Sequence, residues 1–331
     1  MKAIALALIP ILLLGAGYWS YQANQSDDSN LNLRPIIAVM AQPAEQDCTS
    51  FDPDYTSYIA ASYIQFVEGM GARAVPVRYD DSDEHIQSII EQVDGALFPG
   101  GATGLVEHDE DGKMYTTRYY DVEEMFFKAS MAKKEQGINF PIMATCLGFE
   151  SVAYMVMKNK VLDWCSAPKI AMTQTLVNPD DSFVFGNVSE EMRNALETEK
   201  LVFENHERCV TIDHYNNTKE LNEFFRLTST AVGVKGKVYV NSWEAKDYPI
   251  FGQQYHPEKN IYEWQTPDIP HSALAVQWTQ YLGNVLADEA RRNPQKFLDP
   301  KVEAAELIYN YEPLYTDGGY FEEVYCFKKP Q

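Results

Sequence analysis

The chain has 331 residues, of which 45% are hydrophobic and 23% are charged. This length can bury a substantial core in one large domain or two smaller ones. The formal net charge of −21 would repel phosphate backbones and anionic lipid headgroups, so nucleic acid is excluded as an expected partner.

The N-terminus has the pattern of a secretion signal. Residues 1–22 join a positive start at Lys2 to an apolar run from Ala3 to Gly17, which predicts a cleaved signal peptide, with an uncleaved anchor as the alternative. A bilayer span needs about 20 apolar residues, so no stable membrane span is expected after cleavage. Residues 23–31 are then predicted to form a flexible N-terminal arm.

Sequons and cysteines also suit the secretory pathway. Glycosylation sequons begin at Asn24, Asn187 and Asn216. The cysteine count is odd for an oxidising compartment, and its members are Cys48, Cys146, Cys165, Cys209 and Cys326. If Cys146 is a reactive thiol, the other four can form up to two disulfides, in pairings that the sequence does not distinguish. The alternative is that all five are simply buried.

Strand and helix patterns alternate along the first half of the chain. The apolar run 36–40 predicts a strand buried on both faces, and the helical spacing over 59–70 predicts a helix that ends at Gly71. The next predicted elements are a strand at 74–77, a helix at 84–93, a strand at 95–98, a helix at 120–135 and a strand at 140–144. This alternation predicts an α/β fold with a mostly parallel central sheet flanked by helices on both faces.

The domain organisation that results is simple. Residues 32–292 are predicted to form one catalytic domain, and residues 293–331 a C-terminal extension packed on it. No internal repeat or low-complexity linker divides the sequence. Ligands of such sheets bind beyond the carboxyl ends of the strands, where the Gly100-Gly101 turn and Cys146 are both expected.

Cys146 has the sequence context of a nucleophile elbow. It directly follows a predicted strand and precedes helical spacing over 149–156, so a tight turn would lift its side chain from the sheet edge. Amides at the helix N-terminus are expected to favour the thiolate over the thiol. An inert buried cysteine is the alternative.

A base and oxyanion donors can be placed near this thiol. His256 follows a late apolar segment and could accept the thiol proton, while Glu258 could hold its other ring nitrogen. The Leu147 amide and an amide of the Gly100-Gly101 turn are candidate oxyanion donors. The alternatives are a histidine with a purely structural role and a plain tight turn.

Three motifs carry a resemblance to a known family. Phe-Pro-Gly-Gly at 98–101, Thr-Cys-Leu-Gly-Phe-Glu at 145–150 and His-Pro-Glu-Lys at 256–259 resemble γ-glutamyl hydrolases, a family within the class I glutamine amidotransferase-like fold. The similarity extends over most of the mature chain, through residues 58–63, 71–78, 262–264 and 307–309. The resemblance implies cleavage of γ-glutamyl bonds of folyl-poly-γ-glutamates in lysosomes, vacuoles or outside the cell.

The resemblance also implies residue roles. Cys146 is the implied nucleophile, His256 the base and Glu258 its partner. The residues implied to line the substrate site are Tyr63, Gly100, Glu150, His206 and Gln254. From the residues alone, His206 could equally lie on the surface.

Two positions depart from the family pattern. Ala144 stands where the elbow usually has glycine, and the methyl is expected to be tolerated unless the backbone there needs a positive φ. Tyr255 stands where tryptophan is common, and an altered pocket shape is expected rather than lost chemistry.

The predicted function is that of a cysteine hydrolase that acts through an acyl-enzyme and needs no metal or organic cofactor, since the sequence has no zinc-type ligand spacing. Its predicted partner is a small poly-γ-glutamyl molecule, and a homodimer is left open. Arg73, Arg78 or Lys259 is expected to offset the negative charge near the pocket. The alternatives are a catalytically inactive γ-glutamyl or folate-binding paralogue, a free glutaminase-type amidase, and an amidotransferase glutaminase domain.

Overall fold

A computed structural model of the chain describes residues 31–109, 111, 113–158 and 161–330. The predicted signal peptide at 1–22 lies outside these residues, as does the predicted arm at 23–31 except for its last residue. Over the ranges described, no helix is both long enough and apolar enough to cross a membrane.

The described chain forms fifteen strands and eleven α-helices. The strands are β1 (Ile36–Pro43), β2 (Tyr55–Ala60), β3 (Arg73–Arg78), β4 (Gly95–Phe98), β5 (Val106–His108), β6 (Met114–Thr116), β7 (Ile142–Thr145), β8 (Asp163–Met172), β9 (Thr175–Leu176), β10 (Val202–Cys209), β11 (Phe225–Val232), β12 (Val238–Ala245), β13 (Ile250–Gln253), β14 (Leu314–Tyr315) and β15 (Glu323–Lys328). The helices are α1 (Gln46–Thr49), α2 (Ala61–Glu68), α3 (Asp83–Ile90), α4 (Arg118–Glu135), α5 (Leu147–Met157), α6 (Glu190–Thr198), α7 (Ile212–Asn217), α8 (Lys219–Phe224), α9 (Lys259–Tyr262), α10 (Ala273–Arg291) and α11 (Pro300–Glu306).

One large sheet organises the protein. Its centre is parallel, in the order β3-β1-β4-β7-β13. Antiparallel strands extend it on both sides, with β2, β15 and β14 beyond the end of β1 and with β12, β11 and β9 beyond β13. The predicted α/β class with a parallel central sheet is confirmed. The antiparallel flanks were not predicted; they combine pairs that are close in sequence, such as β11 with β12, and pairs that are far apart, such as β2 with β15.

Both faces of the sheet are covered by apolar packing, as the continuous apolar run of β1 requires. Ile36, Ala38 and Met40 face a core that includes side chains of α3, α4 and α5. Ile37 and Val39 face the opposite core, which includes side chains of α2, α6 and α10. Helices therefore flank both faces, as predicted.

One difference from the predicted elements lies at residue 59. Ile59 belongs to β2 rather than to the predicted helix, because Tyr55–Ala60 pairs with both β1 and β15. The helix begins only at Ala61. Residues of the C-terminal segment thus complete the main sheet, and the Cys48–Cys326 disulfide joins that segment to α1.

A separate two-stranded ribbon, β8 paired with β10, packs beside the main sheet, and we call this pair the β8–β10 ribbon. The Cys165–Cys209 disulfide cross-links its two strands. Cys146 is the free cysteine of the described residues, so the pairing that the sequence left open is resolved.

Candidate active site

Cys146 occupies a strained turn between β7 and α5. Its backbone has φ 48° and ψ −102°, a conformation that L-residues rarely adopt and that is concentrated at functional sites. Its amide donates to the Gln253 carbonyl at 2.9 Å, which fixes the turn to β13. Gly148 permits the tight turn, because a Cβ there would overlap the Phe98 carbonyl. The positive φ falls on Cys146 and not on Ala144, so the alanine is compatible with the elbow.

The motifs that the sequence singled out meet at one edge of the sheet. β4, β7 and β13 are neighbouring parallel strands, so the turns that follow them share the carboxyl edge. A Cβ placed on Gly100 would lie 2.5 Å from His256 Cε1, 2.7 Å from the Tyr63 hydroxyl and 3.0 Å from Cys146 Cβ. The thiol-bearing and imidazole-bearing side chains therefore flank the same small space.

His256 is held by a buried carboxylate. Its Nδ1 lies 2.8 Å from Glu258 Oε1, and Glu258 is 1% exposed. Burial alone would raise the pKa of Glu258, but the charge of the His256 imidazolium and its hydrogen bond lower that pKa overall. Because Glu258 engages Nδ1, Nε2 is the nitrogen that can exchange a proton with the thiol or substrate. The Tyr63 hydroxyl also lies 3.3 Å from Nδ1.

The predicted oxyanion donors near Cys146, the amides of Leu147 and of the Gly100-Gly101 turn, have different partners. The Leu147 amide is directed at the Cys146 sulfur, where it acts to lower the thiol pKa against the larger effect of burial. The Gly100 amide donates to the Tyr63 hydroxyl at 2.7 Å, so an oxyanion would compete for this donor. Gly101 packs so closely on Gln42 that a Cβ would overlap its amide. Gln42 in turn donates to the Gly100 carbonyl at 2.7 Å and fixes the turn.

Glu150 of α5 and Gln254, which follows β13, extend the site beside Cys146. Gln254 Nε2 donates to Glu150 Oε1 at 3.1 Å and lies 3.9 Å from Cys146 Sγ. Burial raises the pKa of Glu150 to about 7. Within the described ranges, no group of three or more histidine, cysteine, aspartate or glutamate side chains could hold a metal ion.

His206 is buried on the β8–β10 ribbon, 6% exposed, and so is not the surface residue that the sequence left open. Its Nε2 lies 3.3 Å from Glu204 Oε2, and its ring packs edge-on against Tyr239. Sequence reasoning missed Glu204, a fully buried carboxylate that pairs with His206 although neither of its oxygens accepts a hydrogen bond of good geometry. The sequence pattern that could have found Glu204 is the alternation of side chains along a strand, which places residues 204 and 206 on the same face.

Burial favours the protonated thiol of Cys146, against the direction that the helix N-terminus predicts. Burial raises the pKa of Cys146 well above its usual value, and the charges of Glu150, Glu204 and Glu258 raise it further. The dipole at a helix N-terminus contributes at most about 2 kcal/mol. Burial with three carboxylates outweighs it, so a base must remove the proton as the sulfur attacks.

The three cations expected to offset this negative charge have other partners. Arg73 pairs with Glu303, and Arg78 pairs with Asp81 at 2.6 Å. Lys259 lies over the Phe321 ring at 4.8 Å, although its charge still helps to lower the pKa of the buried Glu258 beside it. Neither arginine is free to bind a substrate carboxylate.

Tyr255, the second departure from the family pattern, is buried. Its hydroxyl accepts a hydrogen bond from the Trp278 ring nitrogen at 3.2 Å, so its polar tip faces α10. The residue thus belongs to the core on the α2 and α10 face of the sheet.

Comparisons with known proteins identify the family of this chain. The sequence pattern of the family described as Peptidase C26 matches residues 35–258. γ-Glutamyl hydrolase 1 of Arabidopsis thaliana is 34% identical over 312 residues, which cover 92% of this chain and 86% of that protein. The γ-glutamyl hydrolase of Homo sapiens is 30% identical over 326 residues, which cover 97% of this chain and 98% of that protein.

Among solved structures, a GMP synthase subunit from Thermoplasma acidophilum is similar at a TM-score of 0.48 and 15% identity, over 78% of this chain and 96% of that one. The predicted resemblance and the predicted enzyme class are confirmed by the family match and the two relatives. The chain belongs to the Peptidase C26 family.

Proposed function

We propose that this chain hydrolyses γ-glutamyl amide bonds of poly-γ-glutamyl small molecules, folyl-poly-γ-glutamates among them, with Cys146 as its nucleophile. The observation that carries the proposal is the meeting of Cys146 and His256 at Gly100, where Cys146 Cβ and His256 Cε1 both lie within 3.0 Å of one point. The Arabidopsis thaliana and Homo sapiens relatives, named as γ-glutamyl hydrolases, support the choice of bond.

The geometry supports a two-step acyl transfer. His256 takes the thiol proton while Cys146 Sγ bonds to the γ-carbonyl carbon, and Glu258 stabilises the imidazolium that forms. The Leu147 and Gly100 amides are the proposed donors to the oxyanion. When the tetrahedral intermediate collapses, the C–N bond breaks and His256 gives its proton to the departing amine. Water, deprotonated by His256, then cleaves the thioester and releases the γ-carboxylate and the thiol.

The remaining lining residues have proposed positioning roles. Tyr63 contacts both the Gly100 amide and the His256 ring, so it holds the oxyanion turn and the base at a fixed separation. Gln254 and Glu150 form a hydrogen-bonded pair beside the sulfur. His206 is the proposed contact for a substrate carboxylate, with Glu204 Oε2 at 3.3 Å from its Nε2 to orient the ring.

The proposed location is reached through the secretory pathway and is the lysosome or vacuole or the extracellular space. Two disulfides and the exposed sequon residues Asn187 and Asn216 support a secretory route. Burial raises the pKa of Asp94 to about 7 and that of Glu123 to about 8. Carboxyls with raised pKa stabilise the fold most at acidic pH, because the folded state keeps their protons.

The proposed division of the chain keeps residues 32–292 as the catalytic unit and 293–331 as an extension. The pairing of β15 with β2 supports an extension packed on the catalytic unit. The signal peptide at 1–22, the arm at 23–31 and a homodimer remain proposals that size measurement and N-terminal sequencing of the secreted protein would test.

One experiment tests the function. The purified protein is incubated with a folyl-poly-γ-glutamate of defined length and, separately, with glutamine, and the products are identified by mass. We expect shortened folates and released glutamate from the first substrate, and no release of ammonia from the second at a comparable rate. Cys146→Ala is expected to abolish turnover and to keep the melting temperature. Activity that survives this substitution would refute the assignment, and a wild-type protein that binds without turnover would indicate an inactive paralogue.

A further inference from the structure

Arg208 differs from the other arginines of the described residues. Each of the others has a carboxylate oxygen within 3.9 Å; they are Arg34, Arg73, Arg78, Arg118, Arg193, Arg226, Arg291 and Arg292. Arg208 has no such partner in the part of the chain that the structure describes. In a chain with 48 acidic and 27 basic residues, a guanidinium left without an acidic partner stands out.

The position of Arg208 is fixed by the β8–β10 ribbon. Arg208 pairs across the ribbon with Trp164, and its guanidinium lies 4.8 Å from the centre of the indole ring. The Cys165–Cys209 disulfide joins the residues that follow these two in sequence. Stacking on an aromatic face leaves the in-plane N–H groups of a guanidinium free to bind an anion.

Arg208 also lies close to the site of Cys146. It follows His206 by two residues on β10. Its charge reaches Glu150, whose pKa is raised by burial and lowered in part by His206 and Arg208. Glu150 is bonded to Gln254, which contacts the Cys146 sulfur. The strand itself reaches the nucleophile, because the Cys146 sulfur lies 3.9 Å from the carbonyl oxygen of Asn205, three residues before Arg208 on β10.

We propose that Arg208, stacked on Trp164, binds a carboxylate of the γ-glutamyl substrate at the rim of the Cys146 site. The inference rests on the proposed function, because it takes the ligand to be a poly-γ-glutamyl chain. Each residue of such a chain carries a free α-carboxylate, because the chain is linked through its γ-carboxyl groups. A planar guanidinium binds a carboxylate through two parallel hydrogen bonds. Arg208 thus supplies locally the positive charge that a protein of net charge −21 lacks overall.

The test measures binding rather than turnover. All variants are made in the Cys146→Ala protein, and calorimetry gives the Kd for γ-linked triglutamate and for the same peptide with its α-carboxylates amidated. Arg208→Gln is expected to weaken binding of the triglutamate on the order of tenfold and to leave binding of the amidated peptide unchanged. Arg208→Lys keeps the charge without the planar fork, so an intermediate Kd is expected.

Arg34→Gln is the matched control, because its side chain is 77% exposed and its contact to Glu303 is 3.9 Å long. It removes the same charge and is expected to leave both Kd values unchanged. An unchanged Kd in Arg208→Gln, an equal loss in Arg34→Gln, or an equal loss for the amidated peptide would overturn the proposal. So would a failure of the parent to bind triglutamate, or loss of the melting transition in both Arg208 variants.

The two proposals fail in different ways. Turnover that survives Cys146→Ala refutes the assignment of the nucleophile. The role of Arg208 is tested separately, by comparing the Kd values of the parent and of Arg208→Gln. In the second case, the wild type hydrolyses the substrate while Arg208→Gln has no selective effect on carboxylate binding. That result leaves the proposed function in place and removes only the Arg208 contact.

Discussion

Gly100→Ala should damage catalysis without unfolding the protein. The added methyl would lie 2.5 Å from His256 Cε1 and 2.7 Å from the Tyr63 hydroxyl. Non-bonded carbon atoms prefer a separation of about 3.5–4.0 Å, so the imidazole must retreat by about 1 Å. A displacement of that size in a reacting group can cost about 100-fold in rate, or roughly 3 kcal/mol in the activation barrier.

The assay is kcat for release of glutamate from a γ-glutamyl substrate, read together with the melting temperature. Gly104→Ala is the matched control, because no atom lies within 4 Å of a Cβ at that position. The control should retain wild-type kcat. A Gly100→Ala protein that folds and keeps kcat within a few-fold of the wild type would contradict this prediction. It would show that catalysis tolerates a displaced His256 imidazole.

Three further variants test the partner of the base, the disulfide of the β8–β10 ribbon and a buried carboxyl group. Glu258→Gln should lower kcat by about two to four orders of magnitude with a small change in KM, because the neutral amide cannot stabilise the imidazolium. Replacing both Cys165 and Cys209 by serine should lower the free energy of unfolding by up to about 4 kcal/mol and raise KM, because the disulfide fixes the β8–β10 ribbon. Glu123→Gln should stabilise the protein at alkaline pH. Burial raises the pKa of Glu123 to about 8, so the free energy of unfolding of the wild type falls as pH rises from about 4.5 through 8, whereas a glutamine does not ionise.

Each has its own measurement. Steady-state kinetics check Glu258→Gln, and a larger effect on KM than on kcat would contradict its role as the partner of the base. Denaturant unfolding with and without reductant checks the variant in which serine replaces Cys165 and Cys209. An unchanged KM in that variant would show that the β8–β10 ribbon does not contribute to substrate binding. Midpoints of urea unfolding between pH 5 and pH 9 check Glu123→Gln. Parallel pH profiles of variant and wild type would show that this carboxyl does not titrate as its burial requires.

Local patterns predicted the elements that hold the catalytic residues. The strand predicted at residues 95–98 is observed as β4 with the same bounds, because a short apolar run between turn residues is specified by its own sequence. The predicted helix from residue 59 was wrong at its start, since the pairing of Ile59 with Tyr325 of β15 decides the conformation there. That contact joins residues more than 250 positions apart, which no window of sequence contains.

The sequence by itself determined the family, the α/β class and the identities of Cys146, His256 and Glu258 as the candidate catalytic group, because each stands in a short motif with its chemistry nearby. Tertiary structure decided the disulfide pairing and the direction in which the pKa of the thiol is shifted, since both depend on burial and on which groups the fold brings together. It also set Arg208 apart from the other arginines. Whether an ionised side chain has a partner is decided by distances of a few ångströms between strands and helices, and only the packed chain fixes those distances.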